Sequence, residues 1–160
     1  MYRYAILTSS DAASRGERED TSAEAIRQML DSNSYYEVEY KLVPDEQHLI
    51  EATLISWVDT GDIDLIITTG GTGLSQRDLT PEATIAVAHR IVPGLSELMR
   101  AFGSTKTPMA SLSRGMVVTR NQTLIINLPG SPKGAREGIE ALQPILLHAL
   151  GQATGKNRGH

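Results

Sequence analysis

"LIITTGGTGLSQRDLTPEAT", Leu65–Thr84, passes from strand to loop to helix in one short segment. With Asp64 it opens "DLIITT", an unbroken run of apolar and β-branched residues. A run without alternation reads as a strand buried on both faces, which belongs in the middle of a parallel sheet. Gly70, Gly71 and Gly73 follow. Glycines at a strand end either supply positive φ for a tight turn or let a ligand approach the backbone. The pattern is no Walker A loop, since no Gly-Lys-Ser/Thr follows, and no G-x-G-x-x-G dinucleotide fingerprint. Thr80, Pro81 and Glu82 then have the chemistry of N-cap, N1 and N2 of a helix reaching to about His89.

The flanking sequence keeps the alternation. "YRYAILT" (Tyr2–Thr8) predicts a strand. Thr21–Leu30 has apolar residues at Ala23, Ile26, Met29 and Leu30, and Thr21 with Glu24 has the spacing of a capping box. Tyr35–Val43 alternates as a strand with one outward face. Between Glu46 and Asp59, Leu49, Ile50, Thr53, Leu54, Trp57 and Val58 share one face only in a helix. Pro93-Gly94 predicts a break before an amphipathic piece from Leu95 to Phe102. Met116–Thr119 and Thr123–Leu128 predict a hairpin about an Arg120-Asn121-Gln122 turn. A last helix runs from Ser131-Pro132 to about Leu150. The fold class expected is α/β: a three-layer α/β/α sandwich whose mostly parallel sheet carries one antiparallel strand or hairpin. Residues 1–150 make one domain, and residues 151–160, "GQATGKNRGH", a flexible polar tail.

Composition limits the functions open to such a domain. The chain has 160 residues, enough for one core. Its 15 Lys and Arg against 19 Asp and Glu give a net charge of −4, which argues against general nucleic-acid binding. It contains no cysteine, which excludes disulfides, thiolate catalysis and cysteine-ligated metal centres. No secretion-signal pattern opens the sequence, and no stretch approaches the ~18 apolar residues of a membrane span. The expectation is a cytoplasmic protein. His48, His89, His148 and His160 show no metal-ligand spacing, and Met29, Met99, Met109 and Met116 read as core fillers.

Three loops concentrate Gly, Ser and Thr: Thr8–Asp20, Thr69–Asp78 and Asn127–Gly134. In a parallel sheet all three leave the carboxyl ends of strands, so they can converge on one cleft. Each leads into a helix N-terminus, whose free N–H groups attract anions. Arg15, Arg77 and Lys133 are available to neutralise a polyphosphate. Asp45 reads locally as the N-cap of the helix that follows it. Asp78 has no evident structural duty once Thr80 is the cap, and is the better functional candidate, against a plain Arg77–Asp78 surface pair. Asp11 and Asp20 read as turn or cap residues.

Taken together, "TTGGTGLSQRDLTPEAT", "LVPDEQ", "NLPGSPKGARE" and the opening "SSDAASRGEREDTS" resemble the family of molybdenum-cofactor biosynthesis proteins that includes bacterial MogA and MoaB. "VPGLSELMR" and "SLSRG" look like further family segments, and the likeness spans roughly Tyr4 to Leu150. The resemblance implies an enzyme, a nucleotidyltransferase that adenylylates molybdopterin from Mg-ATP and releases pyrophosphate. It implies Asp45 and Asp78 as the catalytic pair, Asp78 as a Mg²⁺ ligand and Asp45 as a second ligand or an orienter of the pterin. Asp45 then caps its helix and acts in the cleft at once. Substrate or nucleotide contacts are implied at Ser10, Asp11, Gly70, Gly71, Thr72, Gly73, Ser75, Ser113, Pro129, Gly130, Ser131 and Lys133. A homotrimer or hexamer is implied, with other proteins of the pathway as partners and neither nucleic acid nor membrane. One departure is Ala23, where the family often has glycine after the serine of the first loop. The rival from another class is a non-catalytic molybdopterin-binding or scaffold protein, and the intact Asp45/Asp78 pair argues against it. A nucleotide-processing enzyme like the related competence-damage proteins is weakened by the lack of a second domain.

Overall fold

The computed structural model describes residues 1–156. One sheet holds six strands: β1 (Tyr2–Ser9), β2 (Tyr35–Val43), β3 (Leu65–Thr69), β4 (Arg90–Ile91), β5 (Val117–Arg120) and β6 (Thr123–Leu128), in the order β2-β1-β3-β6-β5-β4. The first four in that order run parallel, and β5 runs antiparallel to both its neighbours, β6 and the edge strand β4. Every residue of β3 is buried between β1 and β6, as its unbroken apolar run predicts. Leu65 and Ile67 face a core closed by α2 (Thr21–Met29), α5 (Pro93–Ser104) and α6 (Pro132–Thr154). Ile66 faces the opposite core, closed by α3 (Gln47–Asp59) and α4 (Thr80–Val87). The result is the expected α/β/α sandwich, with α1 (Asp11–Ser14) a single turn beyond β1.

Element ends depart from expectation where tertiary contacts decide them. Asp20, not Thr21, caps α2: its carboxylate accepts from the Ala23 N–H at 3.2 Å and also takes the Thr8 hydroxyl from β1. Leu79 occupies the N-cap of α4, so Thr80 lies inside the helix with its hydroxyl buried and unpartnered. That helix stops at Val87, and Arg90–Ile91 pair with β5. Pro93 starts α5 rather than breaking the chain, because a first-turn residue has no N–H to lose. The hairpin turn is Asn121-Gln122 alone, with Arg120 paired to Thr123 and Asn121 at φ 49.

The expected tail is helical at its start. Leu146, Leu150 and Thr154 continue one buried stripe, and Gly155 ends α6 at φ 70. Lys156 Nζ then lies 2.8 and 2.9 Å from the carboxylate oxygens of buried Asp64. Residues 157–160 of that tail lie outside the described residues. Among the described residues no helix is long and apolar enough to cross a membrane.

The topology places a crevice. In register, Ser9 lies beside Val43, Thr8 beside Thr69, and Thr69 beside Leu128, so four parallel strands end at one edge. β2 flanks β1 on one side and β3 on the other, so the loops leaving β1 and β3 part at the switch point of the sheet. Ligand crevices of α/β sheets form there.

Candidate active site

Asp45 is not a helix cap. Glu46 holds the N-cap position of α3 and makes no side-chain bond there. The Asp45 carboxylate instead accepts from the Ser9 hydroxyl at 2.6 Å and the Asp11 N–H at 3.0 Å, while its own N–H donates to Asp11 Oδ1 at 3.0 Å. This reciprocal pair fastens the loop after β2 to the loop after β1. Arg77, on the loop after β3, donates through Nε and Nη2 to the Asp11 carboxylate and through Nη2 to Glu46 at 3.1 Å. The Arg77 hydrogen bond, then the Asp45 N–H, hold the Asp11 carboxyl down at about 2. Arg77 is therefore paired with carboxylates rather than standing free for phosphate, and Arg15 is likewise paired with Glu17. Arg77 does not pair with its neighbour Asp78.

The glycine loop is a packing device as well as a turn. Gly70 has φ 93 and Gly71 φ 67. A Cβ on Gly70 would lie 2.2 Å from the Ser9 carbonyl oxygen, and one on Gly130 would lie 3.2 Å from the Gly70 Cα. The three loops thus meet backbone to backbone. The Gly70 N–H is taken by the Leu128 carbonyl at 3.1 Å, so an anion cradle here starts at Gly71. Asp78 has a local duty after all: its Oδ2 accepts from the Ser75 N–H at 2.9 Å and the Ser75 hydroxyl at 2.8 Å. Ser10 and Ser131 cap α1 and α6 by accepting from Ala13 N and Gly134 N, which leaves each O–H free to donate.

Two neighbouring cavities result. A polar one of about 380 Å³ is lined by Ser10, Asp45, Gly70, Gly71, Asp78, Gly130 and Ser131 among others. A second, of about 340 Å³, is lined by Thr72, Gly73, Ser113, Pro129, Ser131 and Lys133, with Met99, Met109, Leu112 and Gly138 making it largely apolar. Ser131 belongs to both walls. Asp11 and Ser75 line neither cavity but hydrogen-bond to Asp45 and Asp78, which line the polar one.

Several contributors escaped the sequence reading. Asp20 and Arg18 line the polar cavity. Burial raises the Asp20 pKa, but donors from Thr8, Tyr40, Ala23 and Ser22 together outweigh it and hold the group below its ordinary value. The Tyr40 hydroxyl is pushed up to about 12, by burial first and then by its bond to Asp20. Arg100 lines the apolar cavity and donates to the Ser113 and Gly115 carbonyls. Met109, 65% exposed, is a cavity wall rather than a core filler, whereas Met99 packs against the core and also lines the apolar cavity. The sequence offered Asp20 only as a turn or cap residue, and nothing local pointed to Arg100. His48 and His89 are exposed, the latter accepting from the Asn121 N–H. Among the described residues no three His, Asp or Glu side chains gather to hold a metal ion by themselves.

Comparison with known proteins bears on this geometry. A family model described as "Probable molybdopterin binding domain" matches residues 5–148. The molybdopterin adenylyltransferase of Helicobacter pylori strain J99 is 45% identical over 147 residues, 91% of this chain and 84% of that protein. That of Escherichia coli strain K12 is 44% identical over 154 residues, 92% of this chain and 79% of that protein. The crystal structure of the molybdopterin biosynthesis enzyme MoaB from Thermus thermophilus has a TM-score of 0.92 at 55% identity, covering 97% of this chain and 98% of that one.

Proposed function

We propose, from the fact that this chain belongs to the molybdopterin-binding domain family, that it transfers an adenylyl group from ATP to the terminal phosphate of molybdopterin, a step of molybdenum cofactor biosynthesis. The observation that carries the reading is the meeting of Asp45 and Asp78 in one polar cavity that shares a wall with an apolar one. The apolar cavity suits a flat heterocycle and the polar cavity suits phosphates.

The nucleophile is an oxygen of the pterin's phosphate monoester. With a second pKa of about 6 it is mostly dianionic at neutral pH, so no general base is required. It forms a bond to the α-phosphorus of ATP as the bond from that phosphorus to the bridging oxygen breaks, and pyrophosphate leaves with the electron pair. The obstacle is bringing two polyanions together in line. The Gly71 N–H and the Ser10 and Ser131 hydroxyls of the polar cavity would hold phosphate oxygens, with the Thr72 and Gly73 N–H groups and the Lys133 ammonium contributing from the neighbouring cavity. Ser113, Pro129 and Gly130 shape the walls.

Asp45 and Asp78 present hard oxygen donors, and among the described residues no third acidic or histidine side chain joins them in a ready-made cluster. That suits Mg²⁺, which binds through one or two carboxylates and keeps water and substrate phosphates as its other ligands. When bound, it would offset the charge of the two phosphate chains. The same reading carries a cytoplasmic location and a homotrimeric or hexameric assembly, whose mass light scattering on the purified protein would check.

Asp78→Asn is expected to lower turnover by roughly 100-fold or more while pterin binding, measured by calorimetry, and the melting temperature hold. Near-normal turnover by that variant would remove Asp78 from the mechanism. Tight pterin binding by the wild type with no product would make the protein a binder.

A further inference from the structure

The loop from Gly73 to Asp78 is exposed along most of its length. Leu74 is 69% exposed, Ser75, Gln76 and Arg77 are exposed, and no residue of the loop is buried. It has no apolar packing to fix it. Its internal bonds, from Ser75 to the Asp78 carboxylate and from the Asp78 N–H to the Ser75 carbonyl at 3.0 Å, set its shape but not its place. The Arg77 pairs to Asp11 and Glu46 are solvent-exposed on the arginine side, and exposed pairs hold weakly.

Arg114 reaches the loop from behind, half-buried. Its Nε donates to the Gly73 carbonyl at 2.8 Å and its Nη2 to the Asp78 carbonyl at 2.7 Å, so one planar group spans both ends of the loop. Its Nη1 donates to Glu82 in the first turn of α4, and its backbone N–H donates to the Thr72 carbonyl at 2.9 Å. The flanking residues Ser113 and Gly115 line the apolar cavity, where Arg100 holds both their carbonyls. A rigid fork of five donors can fix two carbonyls in one plane; an ammonium on a flexible stem cannot.

We infer that Arg114 is the positioning residue that sets Asp78 in the polar cavity and ties it to the wall of the apolar one, an inference that rests on the adenylyl-transfer reading. Its contacts are with backbone carbonyls and Glu82, so it acts through Asp78 and touches no reacting atom.

The test compares Arg114→Lys with Glu82→Gln. Arg114→Lys keeps the charge and loses the fork, and is expected to lower kcat roughly 10- to 100-fold, the effect of about 1 Å of misplacement, with KM for both substrates nearly unchanged. Amide hydrogen exchange should rise at Ser75 and Asp78 while β1 and β3 keep their protection. Glu82→Gln retains both carbonyl bonds and should keep kcat near wild type. Wild-type kcat and exchange in Arg114→Lys would overturn the inference, as would a loss of kcat accompanied by faster exchange throughout the sheet. Wild-type protein that makes no adenylylated pterin would instead sink the transferase reading, and the exchange data alone would then decide whether Arg114 holds the loop.

Discussion

Gly70→Ala tests how the loops are brought together. Gly70 has φ 93, and an added Cβ would lie 2.2 Å from the Ser9 carbonyl oxygen and 3.3 Å from the Ser9 carbonyl carbon. Both obstacles are backbone, so no side chain can rotate to relieve them. Positive φ costs an L residue roughly 1–2 kcal/mol, and forcing close-packed neighbours apart costs about 1–3 kcal/mol. The expected loss is then about 2–5 kcal/mol, or a fall in Tm of about 4–20 °C at the scaling for a domain of this size. Gly16→Ala is the control: it has φ 73 but nothing within 4 Å of its Cβ, so only the backbone term remains. Urea and thermal unfolding of both variants measure the difference. The Ser9 hydroxyl holds Asp45, so Gly70→Ala should also turn over more slowly when fully folded. A Gly70→Ala no less stable than Gly16→Ala would refute the argument that the Ser9 backbone fills that space.

Two further outcomes are expected. Asp11 has its pKa lowered to about 2 by Arg77, so its contribution to stability is full above the ordinary carboxylate range near 4 and is lost as pH falls through about 2. The stability gap between wild type and Asp11→Asn should therefore shrink from pH 4 to pH 2 in denaturation series, and a constant gap would contradict the pairing. Lys156→Ala strips two bonds from buried Asp64. Charged hydrogen bonds are worth about 1.5–3 kcal/mol, and the half-exposed ammonium places the expected loss near the lower end. Unchanged urea midpoints would mean that the end of α6 is not pinned to β3.

Periodicity made most of the fold legible. β3 and α3 were readable because a fully buried strand and a one-faced helix each leave a distinct apolar spacing. Caps were less readable, since Asp20 and Thr21 both fit a capping pattern one residue apart, and the choice is made by Thr8 and Tyr40 from distant strands. Pro93 supports a break or a helix start equally well, and the stripe Leu146, Leu150, Thr154, one residue in every four, was hidden by polar neighbours. In the site, Asp45 and Asp78 were named from their motifs, but what holds them was not. The Asp11–Asp45 pair joins residues 34 apart, and Arg114 acts on carbonyl groups, which no side-chain pattern reveals.

The central claim is attack at the α-phosphorus of ATP by a phosphate of the pterin. Its most direct test incubates the purified protein with molybdopterin, Mg²⁺ and ATP labelled at either the α- or the γ-phosphate. The account predicts that the α label appears on the pterin in step with pyrophosphate, and that the γ label appears only in pyrophosphate. Transfer of the γ label to the pterin, or pyrophosphate released with no labelled pterin, would contradict it.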